Sequence, residues 1–182
     1  MKQGLIVIDV QNDYFIDGSM ELVEMDVAAS NCAKLIDSFR KNKGSVFHVQ
    51  HIATREGATF FVPNTHGCEI HESVKPFVNE PVIVKNYPNS FRETELNDVL
   101  EKLGIEEVVI CGAMTHMCID TTTRAAFDLG FKCIVISDAC ATRDLKFNGQ
   151  FVKAVDVQAA FMAALSIPFA QVVSTEIYLE SV

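Results

Sequence analysis

Three residues of reactive type stand near the ends of apolar runs that are far apart in the sequence: Asp9, Lys85 and Cys118. A thiolate attacks carbonyl carbon, a carboxylate can accept the thiol proton and return it to a leaving amine, and an ammonium group stabilises negative charge nearby. Together the three types are sufficient for nucleophilic catalysis on an acyl group. Taken singly, each has a simpler interpretation: a packed cysteine, a solvated lysine and a capping aspartate.

Cys118 follows a glycine-containing turn between a predicted strand and a predicted helix. The segment 111–118 reads Cys-Gly-Ala-Met-Thr-His-Met-Cys. A helix N-terminus favours negative charge, so we expect this position to lower the pKa of the Cys118 thiol, and a nearby Lys85 to lower it further. The turn also offers free backbone N–H groups, which a tetrahedral oxyanion requires.

Six short apolar runs predict β-strands, and four longer segments predict helices between them. The runs are almost continuously apolar, which is typical of a parallel sheet covered on both faces. The alternation predicts one domain over residues 1–182, a three-layer, doubly wound α/β fold with about six mainly parallel strands and helices on both faces. The predicted strands are Gly4–Val10, Ser45–His51, Pro81–Lys85, Glu107–Cys111, Lys132–Ser137 and Ala170–Val173, and the predicted helices are Met25–Asn42, Arg92–Leu103, Met117–Leu129 and Asn148–Leu165.

The predicted fold brings the three reactive residues to one edge of the sheet. Ligands of open parallel sheets bind at the carboxyl ends of the strands, and Asp9, Lys85 and the Cys118 turn all follow such ends. This convergence makes the functional interpretation the favoured one. The stretch Ala53–Lys75 fits neither helix nor strand and is typical of a functional loop or lid.

Composition excludes several other classes of function. The chain has 182 residues and a formal net charge of −9, which disfavours nucleic-acid binding because phosphate would be repelled. No apolar run approaches the ~18 residues of a membrane span, and no signal-peptide core precedes Asp9, so we expect a cytoplasmic protein without membrane contact. The 6 cysteines form no Cys-x-x-Cys pair, which fits that compartment.

The sequence resembles the isochorismatase-like cysteine hydrolases, a family that includes nicotinamidases and N-carbamoylsarcosine and ureidoacrylate amidohydrolases. The resemblance runs in family order from about Gly4 to Val173. The segments that carry it are Leu5–Phe15, Val84-Lys85 with Asn89–Phe91, Val109–Thr122, Ala125–Gly130 and Val135–Ala141.

This resemblance implies hydrolysis of a small amide, carbamoyl or ureido compound through a covalent thioester. Cys118 would be the nucleophile, Asp9 the proton acceptor and donor, and Lys85 their electrostatic partner. The oxyanion hole would consist of the backbone N–H groups of Met114 and Cys118. The resemblance also implies a cis peptide bond between Ala113 and Met114, and assembly into a homodimer or homotetramer.

One departure concerns metal binding. Nicotinamidases carry an Asp-x-His motif after the second strand that holds a divalent metal, whereas this chain reads His48-Val49-Gln50-His51 there. His66 and His71 follow in the irregular stretch, and four histidines could in principle bind zinc. Because the Asp-x-His carboxylate is missing, we expect these four histidines to be ordinary surface or core residues. We expect neither a metal nor a cofactor. The departure also argues against nicotinamide as the substrate.

The substrate pocket is predicted from aromatic and polar residues near the strand ends. Core packing is the alternative role for the aromatic ones. Two other functions remain open: a redox-responsive or ligand-binding protein on the same fold, and a metal-dependent hydrolase that uses the loop histidines. The predicted pocket residues are Tyr14, Phe15, Phe61, Tyr87, Thr115 and His116.

Overall fold

Eight strands are present in the computed structural model, which describes all 182 residues. Six of them form one parallel sheet in the order β3-β2-β1-β4-β5-β8, and β6 and β7 form a separate antiparallel hairpin. The strands are β1 (Gln3–Ile8), β2 (Ser45–His51), β3 (Val82–Lys85), β4 (Glu107–Ala113), β5 (Lys132–Ala141), β6 (Leu145–Phe147), β7 (Gln150–Val152) and β8 (Gln171–Val173).

Helices cover both faces of the sheet, which confirms the predicted α/β fold. One core cluster of 26 buried residues lies between the sheet and the side of α1 and α5, and a second of 20 lies on the side of α2, α3 and α4. The helices are α1 (Met25–Lys41), α2 (Leu96–Lys102), α3 (Asp120–Asp128), α4 (Ala154–Leu165) and α5 (Thr175–Glu180). None of them combines the length and apolar character needed to cross a membrane.

The strand order reverses at the centre of the sheet. From β1 the chain proceeds to β2 and β3 on one side, and then to β4, β5 and β8 on the other. The crevice at the carboxyl ends of β1 and β4 is therefore the topological switch point, where open α/β sheets bind their ligands.

Two predicted helices begin later than expected. The helix predicted from Arg92 begins at Leu96, because Glu93 takes a left-handed conformation and the Thr94 hydroxyl donates to the Ser90 carbonyl. The helix predicted from Asn148 begins at Ala154, because residues 145–152 form the β6–β7 hairpin. The turn of this hairpin, Asn148-Gly149, has positive φ at both residues, as a tight two-residue hairpin loop requires.

Other boundaries differ less, and one helix was not predicted. The predicted helix Met117–Leu129 consists of a π turn, Thr115–Ile119, followed by α3. The C-terminal helix α5 follows the last predicted strand; its N-cap is Ser174, whose hydroxyl accepts the Ile177 N–H. Residues 53–75 are irregular, as predicted, apart from two 3₁₀ turns, His66–Cys68 and Glu72–Val74.

A buried carboxylate connects the start of β3 to α1. Glu80 accepts two hydrogen bonds of 2.8 Å from the Arg40 guanidinium, and His48 Nε2 lies 3.1 Å from Glu80 Oε2. Burial alone would raise the pKa of Glu80, but the hydrogen bonds from Arg40, the Phe77 N–H and His48 outweigh burial and lower it to about 2. The edge strand that carries Lys85 is therefore fixed by an ionised side chain.

Candidate active site

Asp9, Lys85 and Cys118 lie together in the interior of the crevice. Lys85 Nζ is 2.8 Å from Asp9 Oδ2, and a carboxylate oxygen of Asp9 lies within 4.8 Å of Cys118 Sγ. The three residues are 0%, 1% and 4% exposed respectively. A buried ion pair beside a buried thiol has a large desolvation cost, so this arrangement is far better explained by chemistry than by stability.

The end of β1 aims Asp9 into the crevice. Its backbone N–H donates to the Val49 carbonyl at 3.0 Å, and its φ of 52° lies in the left-handed region. Residues other than glycine adopt that region uncommonly, and aspartate is among those that do so most readily. The strand thus ends in a turn that brings the carboxylate over the sheet edge.

Gly112 allows the Cys118 turn to approach β1. It is paired with Ile8, and a Cβ atom at this position would overlap the Ile8 carbonyl oxygen. Its φ of 119° is also one that residues with a side chain rarely adopt. The peptide bond between Ala113 and Met114, one residue further along, is cis, and the π turn follows with Cys118 facing Asp9 and Lys85.

The expected low thiol pKa is wrong. Burial and the Asp9 carboxylate raise the pKa of Cys118 to about 12, although Lys85 acts in the opposite direction. For Lys85, the attraction of Asp9 and Cys118 outweighs burial, and the pKa of the ammonium is raised. Sequence reasoning considered the turn and the lysine but not the burial. The surroundings therefore favour the thiol form of Cys118 and the charged form of Lys85.

Thr115 and His116 hold the π turn against β5. The Thr115 hydroxyl lies 2.6 Å from Gln158 Oε1 and 3.2 Å from the Ala141 carbonyl oxygen, and the His116 ring bonds to the Thr142 hydroxyl at 2.6 Å. Both side chains were predicted to line the substrate pocket. Their hydrogen bonds attach the turn to the end of β5 and to α4, and their place in the pocket stays a prediction.

Two of the four predicted pocket aromatics lie beside the reactive residues. Tyr14 and Phe61 pack at 4.6 Å between ring centroids, and the Phe61 ring is 5.8 Å from that of His51. Burial raises the pKa of Tyr14, and proximity to Cys118 and Asp9 adds to the rise, so the phenol lies near both. Phe15 instead stacks on His71 at 3.6 Å, and Tyr87 lies under the Arg92 guanidinium.

Gln11, Asp13 and His51 are site residues that the sequence reasoning missed. Gln11 is fully buried, and its amide bonds the backbone N–H and C=O of His51. The Asp13 carboxylate accepts the Phe61 N–H at 2.6 Å and so fixes this aromatic residue in a left-handed conformation. A signal was available: Gln11 and Asp13 belong to the same polar run as Asp9, which follows the first apolar segment.

Comparisons with known proteins agree with this geometry. The isochorismatase domain model matches residues 3–177. The isochorismatase family protein YddQ of Bacillus subtilis (strain 168), itself uncharacterized, is 51% identical over 180 residues, covering 99% of this chain and 100% of the relative. This chain belongs to the isochorismatase family. The assignment confirms the resemblance inferred from the sequence motifs.

Two further members of the isochorismatase family extend the comparison. The crystal structure of an isochorismatase hydrolase from Oleispira antarctica has a TM-score of 0.95 and 47% identity, with coverage of 98% of this chain and 96% of that chain. Nicotinamidase 3 of Arabidopsis thaliana is 31% identical over 170 residues, covering 87% of this chain and 80% of the relative. The family contains hydrolases of amide C–N bonds, and this chain is a hydrolase of that family.

The donor set of the crevice does not fit a metal ion. Three side chains each offer one ligand atom here, and these atoms lie within 4.8 Å of one another: Asp9, His51 and Cys118. The Lys85 ammonium is bonded to Asp9 and lies 3.3 Å from His51 Nδ1, so a cation already stands among these donors. Of the other histidines considered for zinc, His48 bonds Glu80, His66 lies near Glu69, and His71 bonds Ser73.

Proposed function

We propose that this enzyme hydrolyses a small amide, carbamoyl or ureido compound through a thioester on Cys118. The observation that carries the proposal is the buried group of Asp9, Lys85 and Cys118 at the switch point of the sheet. Nucleophile, proton acceptor and compensating charge are within reach of one another without any movement of the strands.

Acylation requires the thiol proton to leave as the sulfur attacks. Because the pKa of Cys118 is raised to about 12, we expect transfer of its proton to Asp9 during attack on the carbonyl carbon. The carbonyl oxygen becomes an oxyanion that the N–H groups of Met114 and Cys118 stabilise. The C–N bond then breaks, Asp9 returns the proton to the leaving nitrogen, and the acyl group remains on sulfur.

Deacylation repeats these roles with water. Asp9 accepts a proton as the water oxygen attacks the thioester carbon, the C–S bond breaks, and the proton passes to the Cys118 sulfur. The free acid leaves and the resting thiol is restored. Throughout, the Lys85 ammonium 2.8 Å from Asp9 offsets the negative charge that moves between sulfur, oxygen and carboxylate.

The burial of Cys118 argues against the redox-responsive alternative. Oxidation and disulfide exchange proceed through the thiolate, and redox-sensing cysteines are accessible and have a low pKa. Cys118 is only 4% exposed, and burial and the Asp9 carboxylate raise the pKa of its thiol. With Asp9 within 4.8 Å as the proton acceptor, this buried thiol suits covalent catalysis.

Intact-protein mass spectrometry with a panel of small amides and carbamoyl compounds tests the proposal. We expect an acyl adduct and release of ammonia or amine with the wild type, and neither with Cys118→Ala. Cys133→Ala is the matched control, because Cys133 is also buried, with a pKa of about 12, but lies on β5 near Phe131 and Thr123. An adduct that survives in Cys118→Ala would refute the assignment of the nucleophile.

We also propose a cytoplasmic homodimer or homotetramer. Support for assembly comes from the β6–β7 hairpin, where Phe147 and Phe151 are 73% and 68% exposed and would be shielded by a second copy. Support for the compartment comes from the 6 cysteines, which are all free and buried thiols. Light scattering of the wild type and a Phe147→Ser, Phe151→Ser variant tests assembly; the variant is expected to be monomeric.

A further inference from the structure

His51 is a fourth strand-end residue in the crevice. It ends β2 and is paired in register with Lys85 on the neighbouring strand. Its backbone N–H donates to Gln11 Oε1 at 2.8 Å, and its carbonyl oxygen accepts from Gln11 Nε2 at 2.9 Å. Because Gln11 is itself fully buried, the attachment point of the imidazole is fixed on both sides.

The imidazole of His51 lies beside the three reactive residues Asp9, Lys85 and Cys118. His51 Nδ1 lies 3.3 Å from Lys85 Nζ, and one ring nitrogen lies within 4.8 Å of both an Asp9 oxygen and Cys118 Sγ. The Phe61 ring packs against it at 5.8 Å and carries no charge. The titratable groups around the ring are therefore Asp9 from β1, Lys85 from β3 and Cys118 from the π turn.

The contact with Lys85 determines the protonation state of the ring. An ammonium group has only donors, so a hydrogen bond from Lys85 to Nδ1 requires an unprotonated acceptor there and places the ring hydrogen on Nε2. Burial, opposed only in part by the Asp9 charge, lowers the pKa of His51, and Lys85 lowers it further. At neutral pH the imidazole is accordingly uncharged.

We propose that uncharged His51 is a positioning residue that holds the Lys85 ammonium between Asp9 and Cys118, and that protonation of His51 inactivates the enzyme. The inference rests on the proposed function. A proton on Nδ1 would remove the acceptor and place two positive charges 3.3 Å apart. The Tyr87 and Pro88 carbonyls, at 3.2 and 3.3 Å from Nζ, would still hold the lysine in part, so loss of the acceptor alone is not fatal.

Two substitutions separate the acceptor from the charge. In His51→Asn the side-chain oxygen takes the place of Nδ1 but does not titrate, whereas His51→Leu has no acceptor. From the usual strength of one hydrogen bond, we expect kcat at pH 8 to fall about tenfold in His51→Leu with little change in KM. We expect His51→Asn to keep most of the wild-type kcat. In this variant the fall of kcat/KM on the acid side should move to lower pH, because residue 51 no longer titrates.

Two outcomes would overturn the proposal. If His51→Asn is as inactive as His51→Leu, the imidazole itself transfers protons or contacts the substrate. If His51→Leu keeps wild-type kcat and the wild-type acid limb, the ring has no part in holding Lys85. Circular dichroism of each variant distinguishes either result from a failure to fold.

Nitrogen-15 NMR of the 5 histidines tests the contact without any substrate, and the His51→Asn spectrum assigns the His51 signals. We expect the Nε2–H tautomer and a pKa below the ordinary 6.5, rising in Lys85→Gln because a neighbouring positive charge is removed. An Nδ1–H tautomer, or a pKa unchanged by Lys85→Gln, would refute the contact. If no amide is turned over but these signals appear, the proposed function fails and the contact does not.

Discussion

Replacement of Asp9 by Asn tests which group holds the proton in the resting enzyme. A thiol of pKa about 12 is about a thousandfold less ionised at pH 7 than one at the ordinary value of 9.0. The Asp9 carboxylate is the main electrostatic cause of that rise, and Lys85 opposes it. Removing the carboxylate leaves the ammonium facing the sulfur, so we expect Cys118 in Asp9→Asn to ionise at lower pH while turnover is lost.

The assay is alkylation by iodoacetamide from pH 6 to 10, quantified on the peptide that contains Cys118. In the wild type the rate should rise about tenfold per pH unit without a plateau. In Asp9→Asn it should be at least about tenfold faster at pH 8, since a tenfold change requires only about 1.4 kcal/mol. Cys133 in the same sample is the internal control, because burial and Glu107, not Asp9, raise its pKa. A wild-type midpoint below pH 7, or slower alkylation of Asp9→Asn, would refute the reasoning.

Three further predictions concern the support of the site. Asp13→Asn should lower the free energy of unfolding by about 1–3 kcal/mol in urea titrations, because the Phe61 N–H loses a charged acceptor; an unchanged midpoint would contradict this. Gly112→Ala should lower the free energy of unfolding by about 3 kcal/mol or more, because the new Cβ would overlap Ile8. Gly130→Ala is the control, with an expected loss of about 1 kcal/mol, because its φ is also positive but its Cβ would meet open space. Equal losses would exclude the predicted overlap. Since the pKa of Glu80 is lowered to about 2, its stabilising effect is complete above pH 4.5 and is lost as the pH falls toward 2. In Glu80→Gln the melting temperature should therefore depend less on pH between 4.5 and 2 than it does in the wild type.

The strands and the three reactive residues could be predicted from the sequence because the relevant signals are local. A buried parallel strand is a short continuous apolar run, and the chemistry of this fold stands at the ends of such runs. Asp9, Lys85 and Cys118 each follow one, so their convergence required only the order of the elements. The turn at Gly112 was equally visible as a glycine between a strand and a reactive cysteine.

The thiol pKa could not be predicted in this way, because it depends on three-dimensional burial. A helix start and a lysine both favour the thiolate, and both are recognisable in sequence. The opposing effects, burial to 4% exposure and a carboxylate from a strand 109 positions earlier, exist only after folding. The β6–β7 hairpin was missed for another reason: its Asn148-Gly149 turn was a readable signal, but the apolar residues that follow were assigned to one long helix.

The strand order explains why a fourth site residue was overlooked. Lys85 is on β3 and Asp9 follows β1, yet these strands are not neighbours, because β2 lies between them. An ion pair of 2.8 Å across an intervening strand requires the end of that strand to offer a compatible side chain beneath the lysine. A positively charged residue there would repel Lys85, and an apolar one would leave the ammonium to Asp9 and the Tyr87 and Pro88 carbonyls alone. A neutral histidine with its acceptor toward Lys85 is compatible with both neighbours, and its place in the site becomes visible from the strand order and not from any motif around it.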